Sequence, residues 1–194
     1  MQLSKIDVAD AQLRAAIRMF FEDAHPVAVH TLACAAHEIL TNLGHKMELN
    51  TYLDQMARWQ ETDVATVRKE AVRFCNFMKH ADNDPTALLD NFSDLDNEGV
   101  LFCACRDLAQ VAHGLPIEAQ VYEAWFFATA VKRVSDGGLR WREKIKACIQ
   151  LFPIGMRSAS REKQKQMVLQ VLTEVAAKQE LQMEMKRIVE LPNE

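Results

Sequence analysis

This chain predicts an all-α fold, and three observations carry that prediction. Apolar residues recur at helical spacing from end to end, and no alternation of period two runs longer than a few residues. Gly and Pro are sparse, at six and five among 194 residues. The β-branched runs that favour strands are scarce. The expected architecture is one helical domain over residues 1–194, a bundle of about seven to nine helices. Within it, residues 1–113 are expected to hold the core with the candidate site and 114–194 to add further helices, with no composition shift or linker that defines a boundary between them.

The elements follow in order. A first helix is expected from about Val8 to Asp23, with Leu13, Ile17, Phe20 and Phe21 on its apolar side. Pro26 opens the second, since Pro is tolerated in a first helical turn, and Gly44 stops it. A short helix covers Tyr52 to Trp59. The "ETD" at Glu61–Asp63 then opens a long fourth helix that ends by Asp82 to Pro85. The acidic segment "DNDPTALLDNFSDLDNE" reads as a turn-rich surface connection. A fifth helix runs from about Asn97 to His113, and Pro116 opens a sixth that reaches about Val134. "SDGG" breaks the chain, "LRWREKIKACIQLF" forms another helix ended by Pro153, and the last begins at Ser158 or Ser160.

Composition narrows the function classes. Hydrophobic residues make up 49% and charged residues 26%, the balance of a globular chain and not a disordered one. A net charge of −4 argues against duplex binding by the whole surface. Five cysteines, an odd number with no C-x-x-C spacing, point to reduced thiols in a cytoplasmic protein; neither a disulfide framework nor a zinc site is expected. "MQLSKIDVAD" has no signal-peptide core, and no segment is apolar for long enough to span a membrane. There is no Gly-rich phosphate loop and no G-x-S-x-G, so no cofactor is called for. Glu22 and His25 make half of a carboxylate metal signature with no second copy, and His37-Glu38 lacks the second His of a zincin helix.

The stretch "RKEAVRFCNFMKHADNDP" holds the candidate site. On one continuous helix, Arg73, Asn76 and His80 share a side, with Lys79 beside them, while Val67, Ala71, Phe74 and Met78 form a separate apolar stripe. A permanent cation, an amide and an imidazole titrating near neutrality can together hold a phosphate and move a proton. The plainer alternative is a helix end whose basic residues answer its dipole, with His80 capping free carbonyls. The second helix adds His30 and His37. With Cys34 and Thr41 they form a stripe roughly opposite the apolar face of Leu32, Ala33, Ala36, Ile39, Leu40 and Leu43. Such a helix is sandwiched, or its second face lines a cleft or interface.

An Arg and a His separated by six residues on an all-α chain resembles the motif of the HEPN superfamily (higher eukaryotes and prokaryotes nucleotide-binding). "NFMKHADNDP" and "VHTLACAAHEIL" also resemble segments of a family of bacterial helical proteins with no assigned activity, over about the first hundred residues. The HEPN resemblance implies a metal-independent ribonuclease, as in toxin–antitoxin and phage-defence systems. In that reading His80 is the acid–base group, Arg73 the phosphate ligand, and Asn76 and Lys79 their helpers. It also implies a homodimer. Phe74 departs from the motif, standing where a polar residue is common. The other class of function is a non-catalytic helical module that binds a nucleotide, or a protein partner such as an antitoxin or regulator.

Overall fold

The structure, a computed structural model, describes residues 1–80, 82, 85–130 and 142–190. It has the expected all-α character: among the described residues there are ten α-helices, one 3-10 turn and no strand. The helices are α1 (Lys5–Phe21), α2 (Pro26–Lys46), α3 (Tyr52–Trp59), α4 (Val64–Ala71), α5 (Arg73–Lys79), α6 (Asp96–Val111), α7 (Ile117–Ala130), α8 (Arg142–Gln150), α9 (Arg161–Ala177) and α10 (Gln179–Val189). The expected break at "SDGG" and the start of the helix at "LRW" lie outside the described residues.

Local chemistry sets most of the starts. Asp7 accepts from Ser4 N (2.8 Å) and Ser4 Oγ accepts from Asp7 N (3.1 Å), a reciprocal cap that opens α1 earlier than the apolar pattern does. Pro26 occupies the first turn of α2. Thr51 and Asp54 form a full capping box on α3, Asp63 caps α4 and Ser160 caps α9. The expected long fourth helix is two. Val72, at φ −97° and ψ 2°, closes α4 and opens α5. Neither Gly nor Pro marks the place.

The chain divides into two compact units. The first comprises Met1–Phe20 and Ala24–Leu115, the second Phe21–Asp23 and Pro116–Glu194. In the first, α2 and α6 share the most extensive helix–helix contact, and α5 packs on α2. On α2, Val29, Ala33, Ala36 and Leu40 are fully buried and His30, Cys34, His37 and Thr41 nearly so, whereas Leu32, Ile39 and Leu43 are only half-buried. The polar stripe is thus on the inner side of the helix, sandwiched between α5 and α6. A smaller apolar cluster of Leu53, Ala57, Val67 and Cys103 ties α3, α4 and α6 together. In the second unit, α7 buries Val121, Tyr122 and Trp125, and Lys144 donates to the Val189 carbonyl at 2.6 Å.

Candidate functional site: a polar cleft over a buried histidine–cysteine cluster

Three members of the α2 stripe, His30, Cys34 and Thr41, each meet a partner from a distant part of the sequence. His30 Nδ1 lies 2.8 Å from Asn97 Oδ1 on α6, and Asn97 Nδ2 donates to the Pro26 carbonyl at 3.1 Å. That carbonyl can only accept, so the Asn97 amide nitrogen must face it and the amide oxygen must face His30. His30 therefore carries its proton on Nδ1 and presents the lone pair of Nε2 on its other side. There Nε2 is 3.9 Å from Cys75 Sγ. Edge-on contacts with Phe74 (5.8 Å) and Phe92 (5.1 Å) fix the ring plane. Burial, partly offset by the Asn97 bond and by Asp96, lowers the His30 pKa and keeps the imidazole neutral.

Cys34 and Cys75 are joined as a disulfide that links α2 to α5. This corrects the expectation of reduced thiols throughout. The two residues are 41 apart in sequence and meet through the packing of α5 on α2, which no short spacing motif encodes. Cys103, Cys105 and Cys148 are free and buried. Burial pushes the Cys103 and Cys148 thiols up to about 12, so neither is a reactive thiolate near neutral pH.

One turn further along α2, His37 Nε2 lies 3.3 Å from Thr41 Oγ1, and Thr41 donates to Asp107 Oδ2 at 3.1 Å. Asp107 Oδ1 accepts from Tyr52 N at 2.7 Å, so the same carboxylate anchors the start of α3. Burial, with the Arg68 charge adding to it, depresses His37 to about 4; burial raises Asp107 to about 6. The 3.6 Å approach of His37 to Asp107 is accordingly not an ion pair at neutral pH, because the imidazole is uncharged there.

Beside this stripe lies an open cleft of about 460 Å³, whose walls include Arg68, Asn76, Lys79, His80, His37 and Thr41. The disulfide lines it too. Lys79 bonds Glu38 at 2.7 Å across the cleft, which holds the Glu38 carboxyl below its usual range. His80 follows the last turn of α5, with Nδ1 4.0 Å from Asp82. Arg73 is not among the cleft's lining residues; its guanidinium lies over the Phe74 ring, 4.4 Å from the centroid. The division at Val72 brings Asn76, Lys79 and His80 to one cleft with Arg68 of α4, a residue the sequence pattern did not single out. Of the two α2 histidines, His37 lines this cleft with His80. His30 instead lines a second, more apolar cavity of about 450 Å³ together with Phe74 and Cys103.

Among the described residues, one group has the composition of a metal site: donor atoms of His30, Cys34 and Cys75 lie within 4.8 Å of one another. In the structure its two sulfurs are bonded to each other. Among the described residues, Glu22, His25, His37 and Glu38 belong to no such group. No helix of the described residues is long and apolar enough to cross a membrane. Comparison of the chain with family models, with curated proteins and with solved structures finds no match. What the fold and the site define is an all-α chain with a polar, partly basic cleft above a buried histidine–cysteine cluster.

Proposed function

We propose that this chain is a helical binding protein that does not cleave RNA, and whose cleft takes a small phosphate-bearing ligand of nucleotide size. The observation that carries the reading is the meeting of Arg68, Asn76, Lys79 and His80 on one cleft of about 460 Å³. That volume lies within the range of small-ligand pockets. An Arg fork and a Lys ammonium are the side chains that recognise phosphate, and Asn76 adds an adaptable donor. Lys79 is already held by Glu38, so a phosphate would compete with that carboxylate for it. This favours a ligand bound through several groups at once. Arg73, turned onto Phe74, does not line the cleft that His80 lines, and this weighs against the phosphate–imidazole pair that cleavage requires.

The second reading is the HEPN-like ribonuclease, favoured by His80 and Asn76 sharing the cleft. It would use Arg68 where the motif has Arg73, and a homodimer would bring a second set of cations. One experiment separates the two. Calorimetric titration with ATP and with inorganic phosphate is run beside incubation with mixed RNA in EDTA, using wild type, Arg68→Ala and His80→Ala. The binding reading expects saturable ATP binding, weakened about tenfold or more in Arg68→Ala through loss of a charged hydrogen bond, and intact RNA in every sample. RNA cleavage lost in His80→Ala would move the conclusion to the nuclease, since acid–base help is worth about a hundred- to ten-thousand-fold. Neither binding nor cleavage would refute both.

A further inference from the structure

The geometry points to the His30–Cys34–Cys75 cluster as a thiol–disulfide exchange site, in which Cys75 is the attacking thiol, His30 its base and Cys34 the resolving thiol, acting on low-molecular-weight disulfides. It goes beyond the ligand reading, and its chemistry does not depend on whether the cleft binds phosphate.

Four observations converge. The two cysteines are paired across α2 and α5, so formation of the disulfide needs no rearrangement of the fold. The bond lines an open cleft, whereas Cys105 and Cys148 are fully buried. Cys75 is the more accessible of the pair, at 7% against 2% for Cys34, the asymmetry expected of an attacking and a resolving thiol. Finally, His30 aims an unprotonated Nε2 at Cys75 Sγ from 3.9 Å, with its other nitrogen tied to Asn97 and its ring clamped by two Phe side chains. A purely structural disulfide has no use for an imidazole held in that tautomer. The depth of the pair defines the substrate class: Cys75 is a buried residue, 7% exposed, at the wall of the cleft, which a small disulfide can enter and a folded protein surface cannot.

Starting from the reduced protein, the Cys75 thiol gives its proton to His30 Nε2, and the thiolate attacks one sulfur of the substrate RSSR. The substrate S–S bond breaks as the Cys75–SR bond forms, and RS⁻ leaves with the proton from His30. Cys34 then loses its proton to the same imidazole and attacks Cys75 Sγ. The Cys34–Cys75 bond forms, the second RS⁻ departs, and it takes up that proton. Two electrons pass from the dithiol to the substrate, giving the protein disulfide seen here and two RSH. The reverse sequence lets a small thiol reduce the protein, so the site can turn over between two thiol pools.

The test uses the full chain, reduced with dithiothreitol and desalted, with glutathione disulfide as the probe and intact mass as the readout. Wild type should release two glutathione molecules and gain the Cys34–Cys75 bond. Cys34→Ser should stop at one glutathione attached to Cys75, and Cys75→Ser should form no adduct on the same timescale. His30→Gln should slow the first attack by about a hundredfold, in the range of a positioned base. A parallel measurement on wild type alone guards against variants that fail to fold: limiting iodoacetamide should label Cys75 before the other four cysteines. The proposal is overturned if Cys75 is not labelled first, if Cys34→Ser gains no adduct, or if His30→Gln reacts at the wild-type rate. It is also overturned if one equivalent of zinc binds the reduced protein tightly and abolishes labelling, which would make the cluster a metal site.

Discussion

At the scale of single residues, the buried pair His37 and Asp107 makes the sharpest forecast, because their pKa values move in opposite directions. His37 is depressed to about 4 from an ordinary 6.5, so its contribution to stability is complete above pH 6.5 and is lost as pH falls toward 4. Asp107 is raised from 3.8 to about 6, so its contribution is complete below 3.8 and is lost as pH rises through 6. Between these limits the two slopes oppose each other and the wild type is buffered. Asp107→Asn removes one slope and keeps the shape. Relative to wild type, the variant should lose stability on acidification from pH 6.5 to 4, by on the order of 3 kcal/mol. Urea unfolding at several pH values measures this, and parallel stability curves for the two proteins would contradict the assignment. The sequence made His30 and His37 visible as a stripe, but not their roles. Asn97, Asp107 and Arg68 were not singled out, because each enters the cluster through tertiary packing and none stands in a motif.

Whole elements were more legible than their junctions. The range Tyr52–Trp59 was readable because Thr51 and Asp54 write a capping box into the sequence at short range. The Pro26 start of α2 was readable for the same kind of reason. The division at Val72 was not, since "EAVRFC" carries no breaker and its apolar spacing is continuous across the bend. The faces of α2 were legible in part, and the helix is sandwiched as its two stripes suggested. Of the apolar face, Ala33, Ala36 and Leu40 are fully buried while Leu32, Ile39 and Leu43 are half-buried, and the helix also buries the stripe whose polar groups find partners on α5 and α6. A buried polar group that is fully bonded costs little, so hydrophobicity alone does not identify the inner face. The Cys34–Cys75 bond holds the seven-residue α5, too short to be stable alone, against α2. Dithiothreitol should therefore lower the unfolding free energy by about 2–4 kcal/mol, as expected for release of a long closed loop. Equal denaturation midpoints with and without reductant would count against a role of the bond in holding α5.

For the whole molecule, the all-α class was plain from period and composition, while the candidate site changed in membership. The cleft holds Asn76, Lys79, His80 and His37, adds Arg68, and leaves Arg73 on the Phe74 ring and His30 on the neighbouring cavity. In the proposed function, the cleft of the first unit is where this chain meets a phosphate-bearing ligand. Amide hydrogen exchange on the full chain, with and without saturating ATP, tests that claim most directly. Slower exchange is expected in the walls of the cleft, at residues 34–42 and 68–80, with α7 to α10 unchanged. Protection confined to α7–α10, or none at ligand concentrations that saturate binding, would contradict it.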